Sequence, residues 1–139
     1  MFLVENDCGT INPMVAAAES KIMIIEDDRF LSSLIKARLE KDGFNVLQAF
    51  DGEEALRLLK QEKPNLIVLD LIMPRVTGFE VLEAISISPE LNKTPVVILS
   101  NLAQDSDVAK AKSLGAMEYF VKVRVSIDDV INKVKSILK

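Results

Sequence analysis

The chain has 139 residues, 49% of them hydrophobic and 27% charged, enough for one domain with a sizeable core and too few for two. A formal net charge of −4 with scattered basic residues excludes the basic face that nucleic acid requires, and no apolar run approaches the ~20 residues that span a bilayer. With no histidine and one cysteine, Cys8, there can be no Ser/His triad, histidine metal ligand or internal disulfide, and a reducing cytoplasm is the expected compartment.

Residues 1–20 mix Gly, Pro, Asn and a short Ala run without a sustained period. They are expected to form an N-terminal arm, irregular or disordered, and their acidic residues Glu5, Asp7 and Glu19 do not fit a secretory signal. From Lys21 onward the pattern alternates. KIMIIE is a continuous apolar run rich in β-branched residues, as a parallel strand buried on both faces should be. Leu31, Leu34, Ile35 and Leu39 then repeat at helical spacing, with Gly43 placed as a left-handed cap. FNVLQA alternates as an edge strand does; Ala55, Leu58 and Leu59 give a second helix that Pro64 forbids to continue. NLIVLD is the third strand and Phe79, Leu82 and Ile85 mark the third helix after Gly78. TPVVILS is the fourth strand, and Gln104 to Leu114 a fourth helix with a thin apolar grip through Val108, Ala111 and Leu114. AMEYFV is the fifth strand, and Ile127, Val130, Ile131, Val134, Ile137 and Leu138 form the clearest helical stripe.

Five strands alternating with five helices predict an α/β fold: a flavodoxin-like, doubly wound, five-stranded parallel sheet of order 2-1-3-4-5. Its ligand crevice lies at the carboxyl ends of strands 1 and 3, where the winding reverses. Glu26 and Asp27 end the first strand, Asp70 the third, Ser100 and Asn101 the fourth, and Lys122 the fifth. Three carboxylates on adjacent strand ends form a hard oxygen site suited to magnesium, and repel a bare phosphate. No GxxxxGK[ST] or GxGxxG loop is present to cradle a nucleotide. With a divalent ion in place Asp70 is a plausible nucleophile for phosphoryl transfer, with Lys122 neutralising a phosphoryl oxygen. Asp28 reads as the cap of the first helix.

The combination of EDD after strand 1, LDLIMPRVTG after strand 3, ILSN after strand 4 and EYFVK after strand 5 resembles the receiver domain of two-component response regulators over residues 21–139. That resemblance implies Asp70 as phosphoacceptor, Asp27 as direct metal ligand and Glu26 as its acidic partner through water. It also implies Asp70 and the Ile72 carbonyl as further ligands of Mg2+ or Mn2+. Ser100 and Lys122 would contact the phosphoryl group, and Tyr119 would be the aromatic that turns inward on activation.

On this reading the chain is not an enzyme with a separate substrate. A sensor histidine kinase or phosphotransfer protein phosphorylates it, and it signals to a downstream protein through the face of its fourth helix, fifth strand and fifth helix. It would do so as a stand-alone domain, a monomer or weak phosphorylation-dependent dimer. The family usually follows its lysine with proline in a cis peptide; here the residue is Val123, and the ~2.5–4 kcal/mol cost of a non-proline cis bond favours trans. The arm is a second departure. The rival classes are a degenerate receiver serving only as an interaction module and a carboxylate-nucleophile phosphatase of the haloacid dehalogenase type. The phosphatase would need a second aspartate where Ile72 stands.

Overall fold

The computed structural model describes residues 20–138. The arm expected over residues 1–20 therefore lies outside the described residues except for Ser20, as do Cys8 and Lys139. The elements are β1 (Lys21–Ile25), α1 (Arg29–Lys41), β2 (Asn45–Ala49), α2 (Gly52–Glu62), β3 (Leu66–Leu69), α3 (Gly78–Ile87), β4 (Val96–Ser100), α4 (Asp105–Ser113), β5 (Glu118–Val121), a 3₁₀ turn at Lys122–Arg124, and α5 (Ile127–Leu138). The strands pair in parallel in the order β2-β1-β3-β4-β5, as the alternation predicts.

The continuous apolar strands are explained by two cores. Successive side chains of a strand point to opposite faces. Met23, Ile25, Ile67, Leu69 and Ile98 accordingly join Leu59 of α2 and Leu82 of α3 on one side. Ile22, Ile24, Val68, Val97 and Leu99 join Ile35 of α1 and Val130 and Val134 of α5 on the other. A strand buried on both faces has no polar position to spare until it ends, which is why charge begins at Glu26 and Asp70.

Helix boundaries follow local chemistry. Asp28 caps α1, its Oδ1 accepting the N–H groups of Phe30 at 3.0 Å and Leu31 at 3.2 Å. Gly43, with φ +95°, turns the chain after α1, while Lys63 takes the left-handed position ahead of Pro64. Thr77 and Glu80 close a reciprocal capping box on α3. β5 starts at Glu118, two residues after the apolar run AMEYFV begins, because the Ala116 N–H closes the preceding turn on Ala111 O at 3.1 Å. α4 buries only Ala111, the thin grip its composition predicts, whereas three ion pairs tie α5 to its neighbours: Arg38 to Asp128, Lys133 to Glu118 and Lys135 to Asp42.

Candidate functional site

Parallel pairing brings the ends of β1, β3 and β5 to one crevice. The Asp70 N–H donates to Ile25 O at 2.9 Å and the Glu26 N–H to Ala49 O at 3.0 Å, so both acidic residues leave the sheet with their backbones still held by it. Glu26 and Asp70 are each only 3% exposed, while Asp27 faces solvent. One carboxylate oxygen from each of the three lies within 4.8 Å of the others. At that separation two like charges repel by roughly 3 kcal/mol at an effective dielectric of about 20.

Lys122 partly offsets this repulsion. Its Nζ stands 2.6 Å from Glu26 Oε1 and donates to Asp70 Oδ2 at 3.1 Å. Asp70 Oδ1 accepts the Ile72 N–H at 3.1 Å, and Glu26 Oε2 accepts the Asp28 N–H at 3.0 Å. Among the described residues no peptide is cis, so Lys122 reaches this position through a trans link to Val123. Three carboxylates against one ammonium leave a net negative pocket of hard oxygens, which fits Mg2+ or Mn2+.

Burial pushes Glu26 up to about 7, against the hydrogen bonds from Lys122 and the Asp28 N–H and with help from the Asp70 charge. Burial pulls Lys122 down, but its bond to Glu26 and the charges of Asp70 and Glu26 prevail, and its pKa is raised. A carboxyl whose pKa is higher folded than unfolded binds more protons in the native state, so stability falls as pH rises between the two values. Metal-free protein is therefore expected to lose about 3 kcal/mol through Glu26 between pH 4.5 and about 7. Lys122 stays charged throughout that window. Denaturant unfolding in chelator, compared with Glu26→Gln, checks this: parallel pH profiles for the two proteins would refute it.

Ser100 is fully buried at the end of β4, and its Oγ accepts the Leu102 N–H at 3.3 Å. The Tyr119 hydroxyl donates to Leu102 O at 2.7 Å. The two expected switch residues thus hold opposite ends of one residue, a link that no sequence spacing announces. Ile72 is 50% exposed, its side chain turned to solvent. Of the expected site residues, Glu26, Asp27, Asp70 and Lys122 are brought together directly; Ile72 joins through its amide, and Ser100 and Tyr119 meet through Leu102.

A sequence model of the response regulator receiver domain matches residues 22–135. Among curated proteins, the transcriptional regulatory protein CpxR of Escherichia coli K12 is 36% identical over 120 residues, covering 86% of this chain and 50% of CpxR. The chain spans about half the length of the curated relatives it matches. Among solved structures, the receiver domain of Francisella response regulator 1452 superposes with a TM-score of 0.78 at 31% identity, covering 86% of this chain and 97% of that one. The Mn(2+)-bound form of response regulator Rcp1 gives 0.73 at 31% identity, covering 85% and 91%. A doubly wound sheet with an acidic crevice at its switch point is here that of a signalling protein rather than a metabolic enzyme. The chain belongs to the response regulator receiver domain family of two-component systems.

Proposed function

We propose that this chain is a phosphoacceptor switch in which Asp70 takes a phosphoryl group from a histidine kinase or phosphotransfer protein. The observation that carries the reading is Lys122 bridging Asp70 Oδ2 and Glu26 Oε1 beside Asp27. An Asp70 oxygen attacks phosphorus; the new P–O bond forms as the donor's P–N bond breaks, and the electron pair leaves on the imidazole nitrogen, which takes up a proton. Lys122, already at Asp70, compensates charge on the transferring oxygens. Ser100 uses its oxygen to accept the Leu102 N–H, which leaves its own O–H to donate to the phosphoryl group. A Mg2+ or Mn2+ ion held by Asp27, Asp70, the Ile72 carbonyl and, through water, Glu26 would supply the remaining charge neutralisation.

The readout follows from the same contacts. Drawing Ser100 toward a phosphoryl group loosens its hold on Leu102, whose carbonyl Tyr119 grips. α4 begins three residues beyond Leu102 and buries one side chain, so it is the element free to shift, while α5 stays tied by its ion pairs. Phosphorylation then biases two pre-existing forms, and a downstream protein, or a second copy in a weak dimer, reads the α4-β5-α5 face. No helix among the described residues is long and apolar enough to cross a membrane; we place the chain in the cytoplasm with its kinase, and residues 21–139 as the switching unit. A phosphatase-like reading lacks its proton donor, because the side chain two residues after Asp70 is Ile72.

The test is incubation with acetyl phosphate and Mg2+. The protein should gain the mass of one phosphoryl group at Asp70 and bind a beryllofluoride mimic; failure of both would reject the proposal. Ile72 and Leu102 cannot orient an attacking water by hydrogen bonding. Self-dephosphorylation of the isolated phosphoprotein is therefore expected to be slow, and an Ile72→Asn, Leu102→Glu variant should shorten its lifetime roughly tenfold or more. A wild-type half-life of seconds, or an unchanged lifetime in the variant, would contradict this.

A further inference from the structure

The loop from Asp70 to Gly78 is gripped at two places, and one of them is assigned no role by the site described above. At its base the Gly78 N–H donates to Leu71 O at 3.1 Å, and a Cβ on Gly78 would lie 2.2 Å from Asp70 O and 2.4 Å from the Leu71 Cα. The loop therefore closes directly over the Asp70 backbone. At its tip Arg75 adopts φ +65°, the left-handed region that ordinary side chains avoid.

Its side chain reaches the N-terminus of α2, where Nε donates to Glu53 Oε1 at 3.2 Å and a terminal nitrogen stands 3.6 Å from Asp51 Oδ2. Asp51 is anchored in turn, because its Oδ1 caps α2 by accepting the Glu54 N–H at 2.8 Å. Beside this clamp Val76 occupies the space of the missing Gly52 side chain; a Cβ there would lie 2.6 Å from both the Val76 Cβ and its carbonyl oxygen. A non-glycine residue in a left-handed turn, held by two carboxylates at the start of another element and followed by a valine seated on a glycine, is an outlier that the surroundings impose.

We infer that Arg75 is a positioning residue: its clamp on Asp51 and Glu53 fixes the loop so that the Ile72 peptide is held against Asp70. The consequence for metal binding rests on the phosphoacceptor reading, in which the Ile72 carbonyl is a ligand. The Arg75 side chain is 63% exposed, so its ion pairs add little to global stability. Their effect is local, on a loop whose Ile72 N–H reaches Asp70 Oδ1 at 3.1 Å. Small misplacements at a reacting centre cost large factors in rate.

The experiment compares the full chain with Arg75→Ala, Arg75→Lys and Gly52→Ala in two measurements: exchange of the Ile72 amide hydrogen without divalent ion, and acetyl phosphate-driven phosphorylation across a Mg2+ titration. Arg75→Ala is expected to speed Ile72 exchange and to raise the Mg2+ concentration for half-maximal phosphorylation roughly tenfold with an unchanged unfolding midpoint. Arg75→Lys, which keeps the charge but loses the fork, should fall between. Gly52→Ala should reproduce the faster exchange and the raised Mg2+ requirement by pushing Val76 away, with a lowered unfolding midpoint from the overlap. High salt, at ~1 M where the screening length is about 3 Å, should narrow the gap between wild type and Arg75→Ala. Unchanged exchange in Arg75→Ala, or faster exchange with an unchanged Mg2+ requirement, overturns the inference. A wild type that takes no phosphoryl group at all instead defeats the phosphoacceptor reading, and Ile72 exchange still decides whether the clamp exists.

Discussion

Asp70→Asn is expected to abolish phosphorylation while barely changing stability. The amide matches the carboxylate in shape and its single oxygen can keep one of the two bonds that Asp70 accepts, from Lys122 or from the Ile72 N–H, but it is not a nucleophile that forms an acyl phosphate. The small stability effect follows from opposing charges. In the wild type above pH 7, where Glu26 is ionised, Asp70 is repelled by Glu26 and Asp27 within 4.8 Å, roughly 3 kcal/mol each at an effective dielectric of about 20. It is attracted by Lys122 at 3.1 Å, roughly 5 kcal/mol on the same scale. These nearly cancel, so the unfolding free energy of metal-free Asp70→Asn should lie within about 2 kcal/mol of wild type. Mg2+ should stabilise the variant less, since one ligand charge is gone. Residual label from acetyl phosphate at the same site, or collapse of the fold, would contradict this account. A large stability loss would mean that the carboxylate is mainly a structural partner of Lys122.

The fold was legible because its three central strands carry no polar alternation. KIMII, LIVL and VVILS can be satisfied only by burial on both faces, which forces helices above and below the sheet and so a parallel order. Local chemistry also announced the ends of the helices: Asp28 and Gly43 occupy the expected cap positions, and Pro64 stops α2. What composition could not announce were left-handed residues that are not glycine. Lys63 takes its positive φ as the C-cap of α2 ahead of Pro64, and Arg75 is held in its own by the carboxylates at the start of α2.

The site was legible as a set of strand ends and illegible as a set of contacts. Strand order alone places Glu26, Asp27, Asp70 and Lys122 in one crevice. It does not say that Lys122 lies nearer to Glu26, at 2.6 Å, than to Asp70, at 3.1 Å. Nor does it say that Ser100 and Tyr119 share Leu102. Such pairings depend on rotamers and on the reach of long side chains between strands that are distant in sequence, and no local period encodes them. In the sequence Leu102 is only an apolar side chain after a strand end; its backbone is the physical link between the buried hydroxyl and the aromatic.

Replacing Lys122 by methionine should separate the two things that its ammonium does. Without it, Glu26 and Asp70 are buried beside Asp27 with no opposing charge, and breaking a buried pair from one side typically costs about 3–5 kcal/mol. That loss should be largest in metal-free protein above pH 7. It should shrink at pH 5, because Glu26, already pushed up by burial and now without the Lys122 hydrogen bond, takes up a proton and relieves the repulsion. Mg2+ should bind the variant at least as tightly as wild type, since no ammonium competes for the same oxygens, and should restore much of the lost stability. The phosphorylation rate at saturating Mg2+ should nevertheless remain about 10²-fold or more below wild type, the usual cost of removing one preorganised charge from a transferring group. Unfolding with and without Mg2+ at the two pH values, set beside the phosphorylation rate, tests both halves. A variant that phosphorylates within about threefold of wild type once Mg2+ has restored its fold would show that Lys122 only balances charge in the resting pocket and gives the phosphoryl group nothing.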